Sequence, residues 1–519
     1  MANFSFIDLF AGIGGFRIAA ESIGGKSVGF SEISKDAINA YCENFGETPD
    51  RNLGDITKLK TLPEHDLMTA GVPCQSWSIA GKKLGFDDDR GQLWNDTLYL
   101  LNKVRPKAFI FENVKGLADP RNSKALDYIL DRIKQAGYYA NVFLLNAYDY
   151  GVPQTRVRIY IVGFYDKKYQ ERFHILNPNP GQVRLGDVLD GFDASGITRR
   201  TGTNTARWSL SCNEQGFNDY FLFNDLRNGH TTVHSWDIQE TTQREKQICT
   251  LLLRNRRKSL YGILDGNALS LKHFQDLDPT ITSDELETLV QKGILKHCQY
   301  YYDVCDLPSC LDDNELFLLA CSKGGRIMVD ELKSNKELKK RKISVGDTLH
   351  SLETKGAVKC TETRYDFKNA KISTGINGIN RIFLPSSKIY PTLVASDTND
   401  FISTEDLQAQ TEEDWKNNFI KKIFTGKKYR KITKSEACKI QGFPPDFKLP
   451  ESRARWMHLI GNSVAVPVVK MLTRSIALTG VFDEKDWDGK KPTAEQRNIG
   501  ILPARKIETA QLKLELNFD

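Results

Sequence analysis

Phe4-Ser5-Phe6-Ile7-Asp8-Leu9-Phe10-Ala11-Gly12-Ile13-Gly14-Gly15-Phe16 is the stretch that decides how this chain folds. Phe4 to Leu9 is a compact apolar run that reads as a strand, a glycine-rich turn follows, and Arg17-Ile18-Ala19-Ala20-Glu21-Ser22 opens a helix. Strand, glycine turn and helix form the unit that aims free backbone N–H groups at an anionic part of a ligand. The turn is not a dinucleotide fingerprint, because the third glycine of G-x-G-x-x-G falls on Arg17. Taken alone, such a turn is as readily a plain connection as a ligand loop.

The same alternation continues. Ser27 to Phe30 reads as a second strand ending in Ser31-Glu32, a helix runs from Lys35 to about Asn44, and Gly54-Asp55-Ile56 follows. An acid about 20 residues past the glycine turn is where ribose hydroxyls are often held. Asp55 could accept from an amino group and Ile56 could pack on a flat ring. Singly, Glu32 and Asp55 read as solvated carboxylates or helix caps; on successive strand ends they outline an adenosine-shaped pocket.

Leu67-Met68-Thr69-Ala70 is a further strand, leading into Gly71-Val72-Pro73-Cys74-Gln75-Ser76-Trp77-Ser78. Cys74 thereby falls at a strand's carboxyl end, the ligand edge of an open α/β sheet, and reads as a nucleophile against the commoner buried hydrophobe. Ser76 to Arg90 is polar and glycine-bearing, with the length of a lid. Helices are expected over Gln92 to Val104 and Ser123 to Ala136, and strands over Lys107 to Phe111 and Tyr139 to Leu145. Glu112-Asn113-Val114 puts a carboxylate at the thiol's edge. Gln154, Arg156 and Arg158 alternate, so a strand would point them to one face, toward a phosphate or a carboxylate that needs orienting.

Bulk properties exclude several classes. Lys and Arg number 72 against 66 Asp and Glu, a net +6 that permits nucleic acid without demanding it. Ten cysteines without paired spacing indicate a reducing compartment. Cys298, Cys305, Cys310 and Cys321 beside His297 do not match zinc spacings, and no metal is expected. No leader pattern and no membrane-length apolar run is seen.

With these motifs in place, the chain resembles the cytosine-C5 DNA methyltransferases. Asp8 to Gly15, Pro73-Cys74-Gln75, Arg90-Gly91-Gln92-Leu93, Glu112-Asn113-Val114 and Gln154-x-Arg156-x-Arg158 stand in the family's order. Arg430-x-x-Thr433-x-x-Glu436 with Gln441-Gly442-Phe443-Pro444, then Gly461-Asn462-Ser463-Val464, follow far downstream. The resemblance implies an α/β, Rossmann-like S-adenosylmethionine-dependent sheet with a long inserted target-recognition domain. It implies Cys74 as nucleophile, with Glu112, Arg156 and Arg158 on the cytosine. For S-adenosylmethionine, leaving as S-adenosylhomocysteine, it implies Phe10, Gly12, Gly14, Gly15, Glu32, Asp55, Ile56, Pro73, Leu93, Asn462 and Val464. Duplex DNA, with the target base flipped out, would meet Gln75, Ser76, Ser78, Arg90, Gln154, Thr392 and Leu393.

The expected division is a catalytic and cofactor domain over 1–183, a recognition insert over 184–420, a scaffold and return helix over 421–478, and an unassigned tail over 479–519. Around 265–300 two helices about a tight turn, with a strand to follow, fit a winged-helix-like pattern. Basic runs Arg254-Asn255-Arg256-Arg257-Lys258 and Lys339-Lys340-Arg341-Lys342 suit phosphate contacts, or equally solvated helix faces. The chain starts at the cofactor strand, which favours a bacterial or phage modification enzyme. Such an enzyme would act as a monomer in the cytoplasm of a bacterium or an infected cell, with any cognate endonuclease a separate protein.

Overall fold

The computed structural model describes residues 3–73, 93–176, 183–197, 218–369 and 374–483. Its central sheet has six strands: β1 (Phe4–Leu9), β2 (Gly25–Ser31), β3 (Leu67–Gly71), β4 (Ala108–Val114), β5 (Tyr139–Asn146) and β6 (Val157–Phe164). Their order is β2-β1-β3-β4-β6-β5, and β6 runs antiparallel to both its neighbours while the other pairings are parallel.

Sheets of parallel strands are covered on both faces. Here Ile7, Leu9, Met68, Phe109 and Phe111 pack on one face against α3 (Leu93–Val104) and α4 (Ser123–Gln135), through Trp94, Leu98, Leu101, Ile129 and Ile133. In these sequence-ordered labels, α1 is Gly15–Glu21 and α2 is Lys35–Phe45. Phe6, Leu67, Ile110 and Val162 take the opposite face, against Phe16, Ala19 and Ala20 of α1. The late helix Val466–Leu478 completes that second layer with Val468, Val469, Leu472 and Ile476. A segment more than 400 residues from β1 therefore closes the first domain's core.

The insert is built around a four-stranded sheet drawn from its two ends, in the order Asp400–Ile402, Arg381–Phe383, Tyr220–Phe223, Thr232–Val233. Its core contains Phe221, Phe223, Ile382, Trp415, Phe419 and Ile423. Helix Glu412–Asn418 continues directly into Phe419–Thr425 and both pack on this sheet. The break expected at 420/421 thus falls inside one packed element that belongs with the insert.

Residues 235–369 leave this sheet and return to it at one neck, where Asn369 Nδ2 donates to Ser235 Oγ (2.8 Å) and Asp225 Oδ2 (3.2 Å). They form two hydrophobic cores of their own and a three-stranded sheet ordered Arg326–Met328, Leu295–Val304, Val358–Phe367. Cys74, Gln75, Ser76, Ser78, Arg90 and the tail from 484 onward lie outside the described residues.

Candidate active site

The carboxyl ends of β1, β2, β3 and β4 open into a cavity of about 580 Å³. Phe10 leaves β1 with φ 51°, a left-handed backbone costly for a bulky side chain, and Gly12 follows at φ 55°. The turn brings Gly12 N–H to Glu32 Oε2 at 2.8 Å, while Glu32 Oε1 accepts from Ile33 N and Ser34 N, each at 2.8 Å. Asn52 ties the loops together: its Oδ1 accepts from Glu32 N (3.0 Å) and Gly54 N (3.1 Å), and its Nδ2 donates to Glu32 O (3.0 Å). Asp55 Oδ1 accepts from Thr57 N (3.0 Å) and Thr57 Oγ1 (2.8 Å), which fixes that carboxylate beside Ile56.

Phe10, Gly12, Glu32, Asp55, Ile56, Pro73, Leu93 and Asn462 all line the cavity. Apolar surface between two fixed carboxylates can hold a purine ring with a hydroxylated sugar. Ile33 also lines the cavity, is 74% exposed and was missed by the sequence reading. Its one signal is an isoleucine left in a loop directly after Glu32, before the cap residue Ser34.

Other expected pocket residues do different work. A Cβ on Gly15 would lie 2.6 Å from Val464 Cγ2, and one on Gly14 2.3 Å from Phe45 Cε2. Gly14, Gly15 and Val464 thus let α1 pack closely on its neighbours and do not line the cavity. Their place in the motif reflects backbone approach, and Val464 lies in the core beside α1.

The far side of the cavity carries the polar chemistry. Glu112, at the end of β4, sits beside Arg158 on the adjacent β6, with Arg158 Nε 3.1 Å from Glu112 Oε1. Burial pushes the Glu112 carboxyl above the ordinary carboxylate range, although Arg158 and Arg156 oppose the shift. Asn113 Nδ2 donates to Val72 O at 3.1 Å, holding the strand end that delivers Pro73 against β4.

Arg156 is buried, and its guanidinium is shared among backbone carbonyls. Nη1 donates to Leu393 O (3.0 Å), and Nη2 to Gly461 O (3.1 Å) and Ser463 O (2.6 Å). Burial, with Arg158 adding to it, lowers its pKa to about 9, so it remains a cation at neutral pH. Arg156 therefore clamps two distant segments at the cavity wall. Gln154 is 0% exposed; its Nε2 donates to Ile440 O (3.0 Å) and Gln441 Oε1 (2.8 Å), and its Oε1 accepts from Leu393 N (3.0 Å). Leu393 is itself buried, and Thr392 Oγ1 donates to Thr155 O.

Gln154 and Thr392 join the insert's end to the catalytic domain, because a buried amide must satisfy its hydrogen bonds locally, and Leu393, though buried, also lines the cavity. Of the alternating trio, Arg158 is the one that pairs, among the described residues, with a carboxylate in the cavity wall. Among the described residues no cluster of three or more His, Cys, Asp or Glu could hold a metal, and no helix is long and apolar enough to cross a membrane.

The sequence profile described as C-5 cytosine-specific DNA methylase matches residues 4–299 and 314–478. Type II methyltransferase M.HgiBI of Herpetosiphon aurantiacus is 39% identical over 495 residues, covering 93% of this chain and 99% of that protein. M.HgiCII from the same organism is 39% identical over 493 residues, with the same coverage of each chain. M.NlaIV of Neisseria lactamica is 30% identical over 502 residues, covering 92% of this chain and 100% of that one. A profile that spans both the sheet with its cavity and the returning helix settles the relationship: the chain belongs to the C-5 cytosine-specific DNA methylase family.

Proposed function

We propose that this enzyme transfers the methyl group of S-adenosylmethionine to C5 of a cytosine flipped out of a specific duplex DNA sequence, as the modification partner of a Type II restriction system. The observation that carries the reading is the Glu112–Arg158 pair, held beside Pro73 in the same cavity as the Glu32–Asp55 pocket.

Cytosine C5 is a poor nucleophile, and covalent addition at C6 enriches it. The Cys74 thiolate forms the bond to C6, which leaves electron density at C5. Glu112, held protonated more readily than an ordinary carboxylic acid, donates to ring N3 and relieves the negative charge that the addition creates. Arg158 orients that carboxyl. Bound S-adenosylmethionine supplies an electrophilic methyl to C5. Loss of the C5 proton, to water, then expels Cys74 and restores the aromatic ring. Phe10, Ile33 and Ile56 would hold the adenine, Glu32 the ribose hydroxyls and Asp55 the adenine edge.

The test is to incubate the purified chain with isotope-labelled S-adenosylmethionine and, in parallel, plasmid DNA or transfer RNA, then digest each product to nucleosides. Label in 5-methylcytosine at one recurring sequence supports the reading. Label confined to transfer RNA, or carried on an exocyclic amine, contradicts it.

A further inference from the structure

Residues 235–369 contain one structural unit twice. In the first copy Leu269, a single β-bridge, leads into helix Leu271–Leu277, then helix Ser283–Gln291, left-handed Gly293 (φ 71°) and strand Leu295–Val304. In the second, strand Arg326–Met328 leads into helix Val329–Ser334, then helix Val345–Thr354, left-handed Gly356 (φ 75°) and strand Val358–Phe367. Sequence agrees at the turn: Leu289-x-x-Lys292-Gly293-Ile294-Leu295-Lys296 against Leu352-x-x-Lys355-Gly356-Ala357-Val358-Lys359. Each turn lysine reaches a capping-box glutamate on an earlier helix, Lys292 to Glu245 at 2.7 Å and Lys355 to Glu315 at 2.7 Å.

Pairing between the copies is reciprocal. Leu269 of the first bridges Tyr365 in the second copy's last strand, and Ile327 of the second pairs with Tyr302 in the first copy's last strand. The two last strands pair antiparallel, Leu295 opposite Phe367 and Val304 opposite Val358. Such a register relates the copies by a pseudo-twofold axis, as in a fused dimer.

Charge separates the two copies. Between its paired helices the first has only Asp278-Pro279-Thr280-Ile281-Thr282, with Asp278 neutralised by Arg244 at 2.7 Å. The second places an extra helix there, Lys336–Lys340, anchored by buried Leu338. Lys336, Lys339 and Lys342 are exposed and have no carboxylate within ion-pair distance among the described residues. The fold does not require these cations, because the first copy closes the same helix pair without them. The second helix of each pair, Ser283–Gln291 and Val345–Thr354, in the position that a helix-turn-helix protein lays in the major groove, instead carries Asp284 and Glu287 in one copy and Asp347 and Glu353 in the other. Phosphates would repel them.

The unit also springs from the ends of Tyr220–Phe223 and Thr232–Val233 away from Phe383, the residue that packs with Tyr390 and Leu393 toward the active site. We propose that the Lys336–Lys342 ridge grips the phosphate backbone of duplex DNA outside the methylated sequence, adding affinity without reading bases. This rests on duplex DNA being the substrate.

The experiment uses full-length enzyme, wild type and the Lys336→Gln, Lys339→Gln, Lys342→Gln triple variant, with a short duplex ending just outside the target and a long one extended on both sides. Wild-type methylation of the short duplex tests the substrate reading separately, and failure there overturns that reading. With the ridge engaged, the variant methylates the short duplex at the wild-type rate but binds the long one several-fold more weakly. The slope of log K against log salt on the long duplex then falls by about 2 to 3. A variant matching wild type on both duplexes, or weakened equally on both, overturns the proposal.

Discussion

Asp8 is a fully buried carboxyl and Glu112 a largely buried one, and they differ in what surrounds them. Glu112 sits beside Arg158 in the cavity wall, whereas Asp8 accepts one hydrogen bond from Thr69 Oγ1 (2.9 Å) and its Oδ2 has no hydrogen-bond partner among the described residues. Burial is the largest influence on both and raises both pKa values. On the proposed mechanism the consequence for Glu112 is catalytic. Glu112→Gln keeps the shape but cannot supply the acidic proton, so kcat for methyl transfer should fall about 10²- to 10⁴-fold with S-adenosylmethionine affinity unchanged. Single-turnover kinetics with equilibrium cofactor titration would check this.

For Asp8 the consequence is stability. Between the ordinary carboxylate pKa and the raised folded value, the unfolded chain has released the proton and the folded chain has not, so stability falls as pH rises. Asp8→Asn should remove that slope from denaturant-melt stabilities, and an unchanged slope would refute the assignment. At this scale residue types were legible in the sequence, but their partners were not. Gln154 and Arg156 alternate as though facing a ligand, yet their hydrogen bonds go to Ile440, Leu393, Gly461 and Ser463, positions that local spacing cannot reveal.

Among the elements, strands such as β3 and β4 were legible because each carries a short apolar run that ends in glycine or a polar residue. The place of β6 was not, since only long-range pairing slots it antiparallel between β4 and β5. Helix Arg453–Asn462 shows how closely such elements meet: a Cβ on Gly461 would stand 2.3 Å from the carbonyl carbon of Val394 and 2.6 Å from Ala395 N. Val394 and Ala395 line the cavity, and Arg156 bonds Gly461 O. Gly461→Ala should therefore cost about 1–3 kcal/mol of stability. It should also weaken S-adenosylmethionine binding several-fold, read by calorimetry. A variant with wild-type affinity would show that this contact does not shape the pocket.

Across the whole molecule, ordered motifs were enough to place the chain in its family, because the matching segments are short and keep their order. The insert offered no such segments. Its sheet joins Tyr220–Phe223 to Arg381–Phe383 across an intervening duplicated unit, and nothing near either strand announces the other. Motif order predicts a single apolar return helix from Ile460 to Ala477; in the structure Ile460 belongs to the preceding helix Arg453–Asn462, and Val466–Leu478 packs on the first sheet. The covalent step at Cys74 is the claim on which the proposed chemistry depends. It is tested most directly by a duplex carrying 5-fluorocytosine at the mapped target, incubated with enzyme and S-adenosylmethionine and resolved under denaturing conditions. The expected result is a denaturation-resistant protein–DNA species that requires the cofactor and disappears in Cys74→Ser; no such species, or one that persists in Cys74→Ser, would contradict it.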